Sequence, residues 1–289
     1  MSSIRTLVRT LTADWFTRVS LLVVFFWFMV GLIPILFPEL AEIEVNLPLT
    51  RMPPDLSPDR PLGWFGFDSV GSSVVLQIIN GAGVSILVGF TAVFGSLSVG
   101  VLLGAFAGYF GSWADALVGR VMDVLLAFPP LVLPLMISAF FGGGLLTVVF
   151  ALCVGGWIGP AKIVRAQFST LKDREFVTAA RAMGASPLRI ITRHLLPNTF
   201  APLIVQSTFT MAGAILAEAG LSFLGIGLSD GHVSWGGLLN DSRAYLIESP
   251  HMAIFPVLAM LSLVVSLNFL GEALRLALDP RQFASVGGQ

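Results

Sequence analysis

The chain has 289 residues, 55% of them apolar and 11% charged, with a formal net charge of −1. Soluble domains carry about a quarter charged residues, so this composition excludes a soluble domain and defines an integral membrane protein of the all-α class. The near-neutral charge gives no reason to expect a nucleic-acid partner, and the single cysteine, Cys153, excludes an intrachain disulfide.

Residues 1–18 form a short basic leader with Arg5, Arg9 and Arg18. The apolar run behind it is too long for a signal-peptide core and lacks a small-residue cleavage site, so a retained first transmembrane helix is expected at 19–38. Further uncharged runs lie at 81–114, 124–161, 199–217 and 252–271. A span needs roughly 20 residues to cross a hydrocarbon core of about 30 Å. The 124–161 run is therefore expected to hold two spans, with Phe141-Gly142-Gly143-Gly144 as the hairpin, which makes six helices in all. The 81–114 run exceeds the core and is expected to tilt or project from it.

Basic residues set the orientation. With the N-terminus in the cytoplasm, 13 of the 16 Lys and Arg fall inside, and only Arg51, Arg60 and Arg243 fall outside. The expected topology is N-in/C-in. Residues 39–80 then form an outer loop, with Pro48, Pro53, Pro54, Pro58 and Pro61 favouring irregular structure. Residues 81–281 form a core of five spans, and 282–289 a tail.

Within that core the second helix is rich in small residues. Gly100, Gly104 and Gly108 recur every fourth position, a pattern that lets helices approach closely, within the chain or against a partner. Asp123 lies three residues from Arg120 and is expected to pair with it. Pro129-Pro130 is expected to kink the third helix. The fourth helix is expected to end at Trp157-Ile158-Gly159-Pro160, with a further helix over 167–171 running on into the next segment. Glu218 sits near the outer membrane face, where pairing with Arg243 is the favoured reading and a place on a substrate path the alternative.

The segment 175–198 is charged and amphipathic between long uncharged runs. A first helix is expected over 176–183, ended by Gly184. Ser186 then caps a second helix that begins at Pro187 and is stopped by Pro197. Such a pair cannot lie in lipid, so it must be offered to something in water.

This segment resembles the cytoplasmic coupling loop of bacterial ABC importer permeases, in the form found in the oligopeptide, dipeptide and nickel subfamily. Ala179, Ala180, Gly184, Leu196 and Pro197 match the general pattern, while Thr178 and His194 are departures shared with that subfamily. Further resemblance runs through Asp68, Gly71, Gly81, Ala82 and Ser85, through Arg120 and Asp123, and through Leu221 to Gly225 and Ser234-Trp235-Gly236. Ser72, Ser73 and Gln77 replace charged residues that the subfamily carries before the second helix.

The resemblance implies a type I ABC importer permease fold with cytoplasmic coupling helices in a loop at 166–198. It implies a place in the bacterial cytoplasmic membrane beside a second homologous permease, two ATP-binding subunits that carry ATP and Mg, and an extracytoplasmic solute-binding protein. Glu175, Phe176, Ala179, Ala180, Arg181, Gly184, Ala185 and Pro187 are the expected ATPase-coupling residues. Ala179, Ala180 and Gly184 would be close-packing points, Phe176 an apolar anchor, and Glu175 and Arg181 rim contacts.

The chain itself offers no catalytic constellation. Its two lysines, Lys162 and Lys172, do not follow glycine, so there is no phosphate-binding loop, and His194, His232 and His251 are scattered. The expected function is a non-catalytic permease subunit of an ATP-driven peptide importer. A secondary, ion-coupled transporter and an ABC permease for nickel or another small solute are the alternatives; no residue of the pathway names the substrate.

Overall fold

A computed structural model describes residues 14–57, 61–228 and 231–278. The expectations for residues 1–13, for Pro58 and Arg60, and for the tail with Arg281 lie outside those residues. Among the described residues there are eleven α-helices and no strand beyond one isolated bridge, Phe67 to Ser73.

Helix α1 spans Trp15–Leu36 and is apolar on every side, as a helix facing lipid must be. It crosses α2, Val74–Phe110, where Gly31 and Gly83 let the backbones approach. It reaches α11, His251–Leu278, through Trp27 Nε1, which donates to Ser262 Oγ at 2.8 Å, and through the stacked rings of Phe16 and Phe269. At about 1.5 Å per residue the 37 residues of α2 measure about 55 Å, so α2 projects well beyond a bilayer core. It stops at Gly111, held at φ +61°, and α3 follows at once over Ser112–Leu126.

The run expected to hold spans three and four does turn at its glycines: Gly142 and Gly144 take positive φ, and Gly144 N–H donates to Gly227 O. The third pass, however, is broken rather than kinked. Helix α3 ends at Leu126, and the next helix, α4, covers only Val132–Phe141. Pro129 and Pro130 supply no N–H, so the ladder of α3 cannot continue across them, while Pro134 falls in the first turn of α4. The α3–α4 unit still carries the chain from one end of the bundle to the other. Asp115 pairs with Arg165 near its start, and Gly144 meets Gly227 just past its end. Arg120 and Asp123 are both exposed and do not pair; Arg165 takes the carboxylate at this end from Asp115 instead, through Nε and Nη2.

The fourth pass does not end at Pro160. Helix α5, Leu145–Gly156, yields for one residue at Trp157 to α6, Ile158–Leu171. Pro160 sits in the first turn of α6, where a missing N–H costs nothing. Pro197 is likewise no stop. It lies in the first turn of α9, Leu196–Phe223, and a π-turn at Ile191–Leu195 takes up the change of register in front of it.

Five helical stretches are long and apolar enough to cross a membrane: Trp15–Leu36, Val74–Phe110, Leu145–Leu171, Pro187–Phe223 and His251–Leu278. Together with the broken α3–α4 unit they form an all-helical membrane bundle. Phe16 against Phe269 puts the start of α1 and the end of α11 at one end of it.

The glycine row on α2 packs inside the chain. A methyl group on Gly100 would lie 2.7 Å from Trp157 O, one on Gly104 2.6 Å from Ala161 O, and one on Gly108 2.7 Å from Phe168 Cβ. The small residues therefore seat α6 directly on α2.

Candidate functional site

The amphipathic segment folds as two short helices at the end of the bundle where α2 and α6 terminate. Helix α6 does not run on into it: Lys172 to Arg174 form a turn, and Arg174 is extended. Helix α7 covers Glu175–Ala182 and α8 covers Pro187–Ile190. Between them Gly184, at φ +81°, completes a C-terminal cap in which Ala185 N–H donates to Ala180 O and Gly184 N–H to Arg181 O. Ser186 Oγ accepts from Arg189 N–H, and Pro187 opens α8. The angle between the helices is thus set by local chemistry at 184–187.

Val177, Ile190 and Leu195 hold the pair to the bundle. All three are fully buried and pack with Val164, Phe168 and Leu203. Burying each is worth about 1.5–3 kcal/mol, enough to keep a short helix in place at the end of the bundle. Because α8 continues through the π-turn into α9, the docked pair is mechanically one piece with a long helix of the bundle.

The eight residues expected to couple are brought into this one unit, in three different settings. Glu175, Phe176, Ala179, Arg181, Gly184 and Pro187 are exposed, and Ala185 is half-buried. Ala180 is only 2% exposed and is a packing point for this chain's own core. A methyl group on Gly184 would meet nothing of this chain within 4 Å, so what the chain itself asks of the position is the positive φ. Phe176 lies beside His194, ring centroids 6.5 Å apart, which ties α7 to the π-turn.

Sequence reasoning missed two members of the outward face. Met183 is 83% exposed and Leu188 70% exposed on the same helix pair as Phe176, apolar area of the kind that interaction sites present. Their signal was their place on the polar side of an amphipathic segment.

The opposite end carries a second polar assembly. Helix α10, Trp235–Ser242, is capped by Ser234 and packs on α9 through Gly236, close against Ala219. Glu218 is fully buried here and does not reach the exposed Arg243. It accepts instead from Ser222 Oγ at 2.7 Å and from Ser85 Oγ at 3.4 Å, and Ser85 Oγ in turn accepts Trp235 N–H. Trp235 Nε1 donates to Ile78 O, and Asn240 closes the end of α9 through Ser222 O and Phe223 O.

In the outer loop Asp68 Oδ1 accepts from Val70 N–H and Ser72 N–H, and its Oδ2 accepts from Gln77. Ser72 and Ser73 are buried, and Ser73 donates to Leu62 O. The three positions that lack the subfamily's charges therefore serve the loop's own packing. Although Asp241 lies at the surface, partial desolvation of its carboxyl, and secondarily the charge on Asp68, push it above its ordinary range.

Midway between the two ends, a cavity of about 320 Å³ lies between the α3–α4 break, the α5–α6 junction and α9. Among the described residues, no group of three or more His, Cys, Asp or Glu comes together as a metal would need.

A helical membrane bundle that presents a rigid helix pair at one end and holds a cavity at mid-height is built as a permease. Residues 100–284 match the family of binding-protein-dependent transport system inner membrane components, and the chain belongs to that family. It is 40% identical over 218 residues to the dipeptide transport system permease protein DppC of Alkalihalophilus pseudofirmus, covering 75% of this chain and 72% of that one. It is 39% identical over 218 residues to the glutathione transport system permease protein GsiD of Escherichia coli, with the same shares covered. In structure it is similar to the MetNI methionine ABC transporter in an inward-facing conformation, with a TM-score of 0.57 at 19% identity, over 71% of this chain and 98% of that one. That likeness carries the type I permease fold. The chain is a permease subunit, and in this family the ATPase is a separate subunit.

Proposed function

We propose that this chain is one of two transmembrane halves of an ATP-driven importer of short peptides in the bacterial cytoplasmic membrane. A second homologous permease completes the pathway, two ATP-binding subunits sit beneath it, and an external solute-binding protein delivers the substrate. The relatives named for dipeptide and glutathione transport support the substrate class. The excess of Lys and Arg at the end bearing Gly184 supports placing that end, with both termini, in the cytoplasm, and the chain then makes six crossings.

The observation that carries the reading is the docked pair α7–α8, continuous with α9. Closure of the ATPases moves the groove in which α7 rides. Glu175, Phe176, Ala179, Arg181, Gly184, Ala185 and Pro187 form the contact and the elbow, and Ala180 lets α7 seat closely on its own bundle. The motion passes to α9 as a rigid-body rotation, because the cap at 184–187 resists bending. Purification from native membranes in mild detergent tests this. A second six-pass permease and one or two chains with a phosphate-binding loop are expected to accompany this one. Repeated recovery of the chain alone, or as a plain homodimer, contradicts the proposal.

A further inference from the structure

The mid-height cavity has a floor and one polar corner. Gly155, Gly156 and Gly159 at the α5–α6 junction leave the floor bare. Gln206 and Thr210, one turn apart on α9, supply the corner, with Gln206 Nε2 donating to Thr210 Oγ1 at 3.3 Å. That bond leaves the Gln206 Oε1 acceptor, the second Nε2 hydrogen and the Thr210 hydroxyl hydrogen without a protein partner among the described residues. The opposite wall is the break at Pro129-Pro130, where Leu126 O and Pro130 O have lost their helical donors to proline. Non-helical backbone at membrane depth persists only where it is buried or lines a polar path. Among the described residues, no Asp, Glu, Lys, Arg or His lines the cavity.

We propose that Gln206, Thr210 and the broken turn at 126–130 form a site that reads the main chain of a passing peptide. The inference rests on the peptide-importer reading above. A side-chain amide carries the same donor and acceptor as a peptide bond and can pair with the N–H and C=O of one residue of an extended peptide, which face the same side, in two parallel hydrogen bonds. The open carbonyls at the break accept the peptide's next N–H groups. An uncharged site of this kind binds the part that all peptides share and ignores their side chains. It also holds no charge that would trap the substrate, and a path must release what it binds. Gly159 is part of the device: a methyl group there would lie 2.8 Å from Gln206 Nε2 and push the amide out of the corner.

The test uses the whole transporter, with its ATPases and binding protein, in proteoliposomes, and measures ATP-dependent uptake of trialanine, Ala-Lys-Ala and Ala-Glu-Ala at saturating binding protein. Gln206→Leu is expected to slow all three by about five- to tenfold, the equivalent of one or two lost hydrogen bonds, with ATP hydrolysis in the absence of peptide unchanged. Gly159→Ala is expected to do the same more weakly. If Gln206→Leu does not assemble, Thr210→Val, nearly identical in shape, takes its place. Wild-type rates in the substituted transporter overturn the site, and so does a loss confined to one of the three peptides. A wild-type transporter that hydrolyses ATP but takes up none of the peptides overturns the peptide reading itself, and the site with it.

Discussion

Gly104→Ala tests the packing of the bundle most sharply. The added methyl carbon would lie 2.6 Å from Ala161 O, 2.9 Å from Val164 Cβ and 3.0 Å from Ala161 Cα. Comfortable contact is about 3.5 Å, so α2 and α6 must part by nearly an ångström or bend. Two of those three contacts are backbone, which cannot turn aside as a side chain does. The glycines one turn above and below, Gly100 and Gly108, make contacts as tight, so separation at Gly104 loosens all three. Overpacking of this kind costs about 1–3 kcal/mol. Replacing a helical glycine by alanine also gains up to about 1 kcal/mol from helix propensity, which would mask part of the cost. Gly213→Ala supplies the correction, because Gly213 is also within a helix and a methyl group there meets nothing within 4 Å. The difference in melting temperature between the two variants, in the same detergent, isolates the packing cost. At about 2–4 °C per kcal/mol, Gly104→Ala should melt several degrees below Gly213→Ala. Equal melting temperatures would refute the close α2–α6 seat.

At the elbow, Gly184→Asp puts a side chain at φ +81°, a strain of about 1–2 kcal/mol in open space. Membrane insertion and yield should be retained while ATP-coupled uptake is lost; normal uptake would sink the lever. Glu218→Ala leaves Ser85 and Ser222 facing a void and should cost about 1–3 kcal/mol, whereas Glu218→Gln keeps an acceptor in place and should recover most of it. Comparable losses in the two variants, read by thermal denaturation, would contradict the hydrogen-bonded role. For Asp241 the folded carboxyl titrates above its ordinary value of 3.8. An acid raised in this way favours folding when protonated, so its contribution is full below the unfolded value and is lost as pH rises through the folded one. Asp241→Asn should therefore raise the melting temperature at about pH 7 and leave it unchanged at about pH 3. A gain of equal size at both pH values would show that charge is not the cause.

The elbow was legible in the sequence because Gly184, Ser186 and Pro187 act through their own backbone geometry, which no distant residue has to supply. The prolines were harder. Pro160 and Pro197 read as stops but lie in first turns, where proline is at home, and only the position of the preceding turn distinguishes the two cases. Pro129-Pro130 read as a kink, yet two prolines in succession end α3 at Leu126 and the helix restarts only at Val132, with Pro134 in its first turn. Asp115 pairs with a residue 50 positions away and Glu218 with one 133 positions away. Neither partner is visible until the helices are packed, so Arg120 read as the partner of Asp123 and Arg243 as that of Glu218, and neither pair forms. The glycine row was plain as a contact surface; which helix it meets depended on the path of the chain.

The central claim is that the exposed face of α7 and α8 meets an ATPase. A photo-reactive amino acid in place of the exposed Ala179, irradiated in native membranes, tests this directly, with the attached chain identified by mass spectrometry. The expected product joins this chain to a protein bearing a phosphate-binding loop, and a probe at the exposed Phe25 of α1, on a different helix, should not yield it. If Ala179 captures only lipid, or the same neighbours as the Phe25 probe, the pair is not a coupling site and the lever account fails.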